Sequence, residues 1–202
     1  MKDARIKALQ AIADPQDRAR QATALAHSSA DLLTDARALR NHAALCAVLP
    51  LGSHVRQTDM LDVMGITRRA WKVIDRRWAR ETTPCSRCRV SAGVGCKNVP
   101  GPREAIHPER YARHLKQIDD AAKTMADPVA VASEHAGVVV GLEEVEFEAL
   151  AVRREALDAM SALRDATGAP VYQPSDLAKA AGVTTSRIGH MGYRAARQTA
   201  DA

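Results

Sequence analysis

The sequence is poor in aromatic residues and has no long apolar run. Only six of its 202 residues are Phe, Trp or Tyr, which disfavours a β-sandwich, because strands and their cores are rich in aromatic and β-branched side chains. No stretch approaches the roughly 18 apolar residues that a membrane helix needs. The charged N-terminus also lacks the apolar segment of a secretory signal. We therefore expect a cytoplasmic protein that does not associate with membranes.

Alanine is abundant where aromatic residues are scarce. The chain contains 39 Ala residues, and alanine is the strongest helix former. The composition therefore predicts an all-α fold.

The charge is unevenly distributed along the chain. The net charge is +5 overall, but residues 68–116 carry 13 basic and four acidic side chains, a net of +9, so the remainder carries −4. A basic segment within a chain that is otherwise neutral or acidic is expected when one surface faces a polyanion. The alternative is an ordinary solvated charged face.

The chain contains an internal repeat that begins with two long helices. Asp14-Pro15 and Asp127-Pro128 each place an N-cap acceptor before a proline in the first helical turn. Apolar residues then recur at steps of three and four, which predicts a heptad seam in each helix. The seam residues are Leu25, Leu32, Ala36, Leu39, Ala43 and Cys46 in the first helix, and Val138, Leu142, Val145, Ala149, Val152, Ala156, Ala159 and Leu163 in the second. The two helices pair within one chain or between chains of a homodimer, or each packs on its own short helices.

A helix-turn-helix pattern follows each long helix, at an offset of 117 residues. In the first copy Thr58 caps a short helix, Gly65 supplies a left-handed turn and Thr67 caps the next helix. The corresponding residues of the second copy are Ser175, Gly182 and Thr184. This plan resembles that of actinobacterial and actinophage regulators with a sigma-region-4-like helix-turn-helix. The resemblance implies recognition helices at residues 67–80 and 184–193.

The two recognition helices differ in chemistry. Arginine near the start of such a helix binds guanine in the major groove, whereas later cations are better placed for phosphates. The predicted DNA contacts of the first helix are Thr67, Arg68, Arg69, Lys72, Arg76, Arg77 and Arg80, and those of the second are Thr184, Thr185, Ser186 and Arg187. The second helix is shorter and less basic. For either copy, the alternative is a helical bundle that touches no nucleic acid.

Three cysteines lie close together between the two halves. Cys85 and Cys88 form a Cys-x2-Cys knuckle, Cys96 follows on a glycine-rich loop, and His107 completes a tetrahedral Cys3His set. Thiols stay reduced in the cytoplasm, so this spacing indicates metal binding before disulfides. Four protein ligands leave no open position, and we therefore expect structural Zn²⁺. His114, two turns along the next helix, is the alternative fourth ligand.

The cysteine segment resembles the short zinc fingers of actinobacterial phages and mobile elements, in which a basic helix follows the histidine. The similarity covers about residues 83 to 116. If the protein binds DNA, we expect the finger to add contacts to phosphates or to a few adjacent bases. These contacts are Arg87, Arg89, Lys97, Arg103, Arg110 and Arg113.

Together these features predict an N-terminal unit at 1–82, a zinc finger with its basic helix at 83–118, and a C-terminal unit at 119–202. We expect a sequence-specific double-stranded DNA-binding protein, a nucleoid-associated transcriptional regulator of an actinobacterium, its phage or a mobile element. The alternative is an adaptor that binds RNA polymerase or a sigma factor, which the acidic second half would favour. An enzyme is not expected, because the sequence has no nucleophile motif and no phosphate-binding glycine loop.

Overall fold

The computed structural model describes residues 3–97, 99 and 105–193 of the chain. Within these residues the regular secondary structure is helical, and the only β-type pairings are two isolated bridges. The helices are α1 (Ala4–Gln10), α2 (Pro15–Val48), α3 (Gln57–Met64), α4 (Arg68–Thr82), α5 (Pro108–Thr124), α6 (Pro128–Ala162), α7 (Pro174–Ala181) and α8 (Thr185–His190). The predicted all-α fold is confirmed.

The two long helices, α2 and α6, begin at the predicted caps. A carboxylate oxygen of Asp14 accepts a hydrogen bond from the amide of Asp17 at 2.7 Å, and Asp127 accepts one from Ala130 at 2.9 Å. Each aspartate therefore satisfies an amide of the first turn that has no partner within the helix.

The chain forms two compact units. Residues 34–139 make the central unit, which contains α3, α4 and α5. The described residues up to 33 and from 140 to 193 make the terminal unit, which contains α1, α7 and α8. Helices α2 and α6 each contribute one segment to the central unit and another to the terminal unit. The division at residues 82 and 118 that the motifs suggest stays a prediction.

The core of the central unit is built around the last turns of α2. Residues 43–47 of α2 are buried in one cluster with Met60 of α3, Trp71 of α4 and Ile118 of α5. Ala132 of α6 belongs to the same cluster and is fully buried. Alanines on α2 and α6 allow a close approach of the two helices, while the larger side chains of the short helices fill the space around them.

In the terminal unit, α2 and α6 pack together with opposite chain directions. Ala19 shares a buried cluster with Ala156, Leu157 and Met160, and Ala26 shares one with Ala149 and Val152. Helix α1 covers the second cluster with Ile6 and Leu9, and helices α7 and α8 cover the first with Leu177, Ala181 and Ile188. The long helices thus pair within one chain in this unit, the first of the arrangements that their seams allow.

The predicted seam of α2 is correct at Ala36, Ala43 and Cys46 and wrong at two leucines. Leu32 and Leu39 are 53% and 52% exposed, while the neighbouring Leu33 and Arg40 are buried. In the second seam, Val138 in α6 and Leu163 just after its end are also exposed, whereas the seam residues Val145, Ala149, Val152 and Ala156 are buried. The buried residues of α2 keep the heptad spacing, but the buried face is rotated by part of a turn from the predicted one. Small alanines lie on both of these faces and can pack on either.

Both copies form the predicted helix-turn-helix geometry. Gly65 and Gly182 adopt left-handed conformations with φ of 63° and 64°. The hydroxyl of Thr67 accepts a hydrogen bond from the Ala70 amide at 3.2 Å, and that of Thr184 accepts one from Arg187 at 3.3 Å.

The predicted caps at the start of each motif are wrong. Thr58 and Ser175 lie inside α3 and α7, whose N-cap residues are Arg56 and Gln173. At the second site the Asp176 carboxylate accepts a hydrogen bond from the Gln173 amide at 2.9 Å. The second recognition helix is also shorter than predicted, because α8 ends at His190.

We predict that Gly182→Ala destabilises the protein more than Gly65→Ala does. Both changes place a side chain in the left-handed region, at a cost of about 1 to 2 kcal/mol. Only at Gly182 would the added Cβ lie 3.0 Å from the Thr23 methyl and 3.4 Å from the His27 ring, which adds overpacking of about 1 kcal/mol or more. Urea denaturation of both variants measures the difference.

The matched test of this contact is Thr23→Ser. Serine removes the methyl group but keeps a hydroxyl able to donate to the carbonyls of Ala19 and Ala180. In the Thr23→Ser background the cost of Gly182→Ala should fall, while that of Gly65→Ala should not change. Equal costs for the two glycine substitutions in the parent protein would contradict the prediction.

Candidate metal centre and basic helix

The predicted metal ligands lie together in the central unit. One donor atom each from Cys85, Cys88, Cys96 and His107 falls within 4.8 Å of all the others. The Cys85 sulfur lies 3.4 Å from Nδ1 of His107, close to the edge of a tetrahedron whose ligands stand about 2.0 to 2.3 Å from a central ion. The grouping of these four residues is therefore confirmed, and its geometry is compatible with a metal site.

Local backbone structure builds this cluster at the end of α4. The Cys85 amide donates to the Val90 carbonyl at 3.0 Å, which closes the knuckle around Cys88, and Arg89 adopts a left-handed conformation with φ of 53°. Gly93, with φ of 84°, donates its amide to the Arg80 carbonyl at 2.9 Å. This bond holds the following loop against the last turns of α4, where it presents Cys96 to the other ligands.

His107 joins the cluster from the start of α5. It is the N-cap residue of that helix, with Pro108 in the first turn, and its side chain is buried. The cluster of candidate ligands thus connects the C-terminal end of α4 to the N-terminal end of α5.

The thiols of the knuckle have different electrostatic environments. A hydrogen bond from the Lys97 backbone lowers the pKa of Cys88 to about 6, whereas burial raises the pKa of Cys85. Cys46 lies apart from the cluster. It is buried in the core, its sulfur is 3.9 Å from the Ile118 carbonyl, and burial raises its pKa to about 11. Cys46 is therefore a core residue, as the sequence indicates.

His114, the alternative fourth ligand, has a different role. Its ring is fully buried and its Nε2 lies 3.0 Å from a carboxylate oxygen of Asp75 on α4. The other carboxylate oxygen of Asp75 accepts a hydrogen bond from the Tyr111 hydroxyl at 2.6 Å. Burial and this carboxylate raise the pKa of Tyr111. One turn past this network, the Thr83 hydroxyl donates to the Gln117 side chain at 2.5 Å.

Sequence reasoning missed this network, although a signal for it exists. Asp75 is the only acidic residue between Arg68 and Arg80, and it lies four residues from both Trp71 and Ala79. All three are buried, so Asp75 belongs to the inner face of α4. A buried carboxylate requires hydrogen-bond partners, and α5 supplies them.

The outer face of α4 carries the predicted cations. The exposed residues are Thr67, which caps the helix, Arg68, Arg69, Lys72, Val73, Arg76 and Arg77. Arg77 also forms an ion pair with Glu81 at 2.8 Å. Arg80 is only partly exposed, and its backbone carbonyl accepts the Gly93 amide of the finger loop. Trp78 faces inward, where it stacks on His42 with ring centres 5.0 Å apart.

The cations predicted in the finger do not all lie on the surface. Arg87, Arg89, Lys97 and Arg113 are exposed, and Arg87 lies 3.5 Å from Glu109. Arg110 is fully buried, so its prediction as a DNA contact is wrong: this guanidinium is hydrogen-bonded inside the finger. Arg103 lies outside the described residues.

The predicted residues of the second motif occupy its surface. Thr184, Thr185, Ser186 and Arg187 are all exposed, and the Thr184 hydroxyl serves as the cap of α8. Arg187 is the only cation of this set, so the second motif has no counterpart of the basic face on α4.

Comparison with known proteins gives no family for this chain. No protein-family model matches it, and no curated protein or solved structure does. Among the described residues, no helix combines the length and the apolar character needed to cross a bilayer.

We predict that a metal ion protects three of the four cysteines from alkylation. With excess chelator, Cys88, whose pKa is lowered, and Cys96 should react with iodoacetamide at neutral pH, because thiolates are the nucleophiles. Cys85 should react more slowly, because it is buried and its pKa is raised. Cys46 should react only in denaturant, since it is buried and its pKa is raised to about 11. Peptide mass spectrometry with and without added Zn²⁺ measures each site. Equal labelling of Cys46 in the folded protein would contradict this assignment.

We predict that Tyr111→Phe destabilises the central unit by about 1.5 to 3 kcal/mol, the usual value of a hydrogen bond to a charged group. The matched control is Tyr193→Phe, which removes a bond of the same length, 2.6 Å, to the exposed Asp158. Solvent competes for the second bond, so its loss should cost less. Urea denaturation measures both, and a larger cost at Tyr193 would contradict the prediction.

Proposed function

We propose that this chain is a sequence-specific double-stranded DNA-binding protein that acts in transcriptional regulation. The observation that supports this proposal is the outer face of α4, where Arg68, Arg69, Lys72, Arg76 and Arg77 are exposed together. The only acidic residue within this stretch, Asp75, is buried. The exposed surface of residues 68–77, in the second helix of a helix-turn-helix, therefore carries cations and no carboxylate.

The order of side chains along α4 suits a recognition helix. Arg68 and Arg69 lie in the first turn, the part of such a helix that contacts base edges in the major groove. Arginine there pairs bidentately with guanine. Lys72, Arg76 and Arg77 lie further along, where phosphate contacts set orientation and supply most of the salt-dependent affinity.

We infer that the ion of the Cys3His cluster is Zn²⁺ in a structural role. Three thiolates and an imidazole are donors that zinc prefers, and four protein ligands leave no open coordination position. The bound ion would fix the knuckle between α4 and α5. The exposed Arg87, Arg89 and Lys97 of this knuckle, with Arg113 beyond it, then add positive charge beside α4. Elemental analysis of protein purified without added metal should find about one zinc per chain.

A second candidate is an adaptor that binds RNA polymerase or a sigma factor, and α6 supplies the observation that favours it. Phe147, the only phenylalanine of the chain, is 75% exposed, and Val140 on the same helix is 54% exposed. Glu144 between them is also exposed. Exposed apolar side chains beside acidic groups are suited to a protein partner with basic residues.

We predict that the protein binds duplex DNA with strong salt dependence. Six phosphate contacts would give a slope of log affinity against log salt of about −5, at roughly −0.9 per contact. Fluorescence anisotropy on labelled genomic fragments, repeated over a range of salt concentrations, measures this slope. Selection of bound fragments from the whole genome then tests sequence specificity.

The matched variants remove three cations each. Replacing Arg68, Arg69 and Lys72 with Gln should weaken binding by about 100-fold or more and make the slope shallower by about 1, because only Lys72 of the three is assigned to a phosphate. Replacing the exposed Arg20, Arg154 and Lys179 with Gln changes the net charge equally but should have little effect. Equal loss in both variants would indicate general electrostatic attraction. The adaptor would be favoured by a different result: the parent protein does not bind DNA but retains RNA polymerase in a pull-down, and Phe147→Ser abolishes this retention.

A further inference from the structure

Arg110 occupies an unusual position for a cation. It lies on the first turn of α5, three residues after His107, and its side chain is fully buried. Arginine remains protonated in proteins, so a positive charge lies inside the finger. Burying a charge is costly unless other groups compensate it.

The contacts of Arg110 identify the compensating groups. Nη1 donates to the Val94 carbonyl at 2.7 Å and lies 3.4 Å from the sulfur of Cys96. Nη2 donates to the Arg80 carbonyl in the last turns of α4. Among the described residues, no ion pair joins Arg110 to a carboxylate.

The charge of a metal-bound cluster supplies what a carboxylate would otherwise provide. Three thiolates and a neutral histidine around a divalent ion leave a net charge of about −1. The buried guanidinium lies beside that charge, because it is hydrogen-bonded to one of the sulfurs. Hydrogen bonds to metal ligands from outside the coordination sphere orient the ligands and tune the centre.

We propose that Arg110 is a positioning residue of the metal centre, which neutralises the cluster by donating to the Cys96 thiolate and ties this ligand loop to the end of α4. The inference rests on the proposed metal site. Through the Arg80 and Val94 carbonyls, the same side chain holds the loop that carries Cys96 against the helix that carries the basic face. A loosened metal centre therefore loosens the C-terminal end of α4.

The test compares Arg110→Met with Arg113→Met, which removes an exposed cation one turn further along α5. Arg110→Lys is the second variant, since lysine keeps the charge and is the milder change for folding. Metal affinity is measured by competition with a chromophoric chelator, using Zn²⁺ alone. We expect Arg110→Met to weaken it by about 10- to 100-fold, as for other residues that support metal ligands, Arg110→Lys to weaken it less, and Arg113→Met to leave it within about twofold.

Two further readouts separate positioning from general stability. In zinc-loaded protein, loss of the hydrogen bond should leave Cys96 more nucleophilic, so iodoacetamide should modify it several times faster in Arg110→Met while Cys85 and Cys88 keep their parent rates. In Co²⁺-loaded protein, the sulfur-to-cobalt charge-transfer band should move to lower energy. Amide hydrogen exchange at residues 79–83 should also accelerate.

The outcomes are distinguishable. If the parent chain binds neither Zn²⁺ nor Co²⁺, the proposed metal site itself is wrong. If the parent binds metal, and Arg110→Met and Arg113→Met both have the same metal affinity, Cys96 reactivity and charge-transfer energy as the parent, the role of Arg110 is overturned. Weaker binding with uniformly faster modification of all three cysteines would also overturn it, since that pattern indicates general loosening.

Discussion

The orientation of α4 depends on a buried carboxylate together with the buried Trp71. Asp75 faces α5, where the His114 ring and the Tyr111 hydroxyl bind its two oxygens at 3.0 and 2.6 Å. A rotation of α4 that left Asp75 in the core without these partners would be unfavourable. The carboxylate therefore helps to fix which side chains of α4 face outward.

The two helix-turn-helix copies share one backbone conformation at the turn but have different neighbouring residues. Their turns are nearly identical, with Gly65 and Gly182 in the same left-handed conformation. The second turn lies against α2, where the Thr23 hydroxyl donates to the Ala180 carbonyl at 2.9 Å. In the first copy, space near Gly65 is open, and a Cβ added there would meet no atom within 4 Å. The local sequence determines the conformation of the turn, and the neighbouring helices determine how well a substitution of its glycine is tolerated.

The sequence predicts the helices, their aspartate caps, the two glycine turns and the four clustered ligands, because each follows from local spacing. Prediction from the sequence fails where contacts between residues far apart in the chain determine the structure. Leu32 and Leu39 are more apolar than the alanines beside them, yet the antiparallel partner helix favours a face rich in small residues. Arginine is usually a surface residue, and only the folded loop places Val94, Cys96 and the end of α4 around Arg110. His114 and His107 are equivalent as residue types, but Asp75 binds the former.

Both tryptophans of the chain lie on α4, and each contacts a different part of the central unit. Trp71 is buried in the core, while Trp78 stacks on His42 at the edge of α2. The described part of the terminal unit contains Tyr172 and Tyr193 but no tryptophan. Selective excitation of tryptophan emission therefore observes the central unit alone, whereas circular dichroism observes the helices of both. The sequence thus carries a built-in optical probe that can compare the unfolding of the two units without any added label.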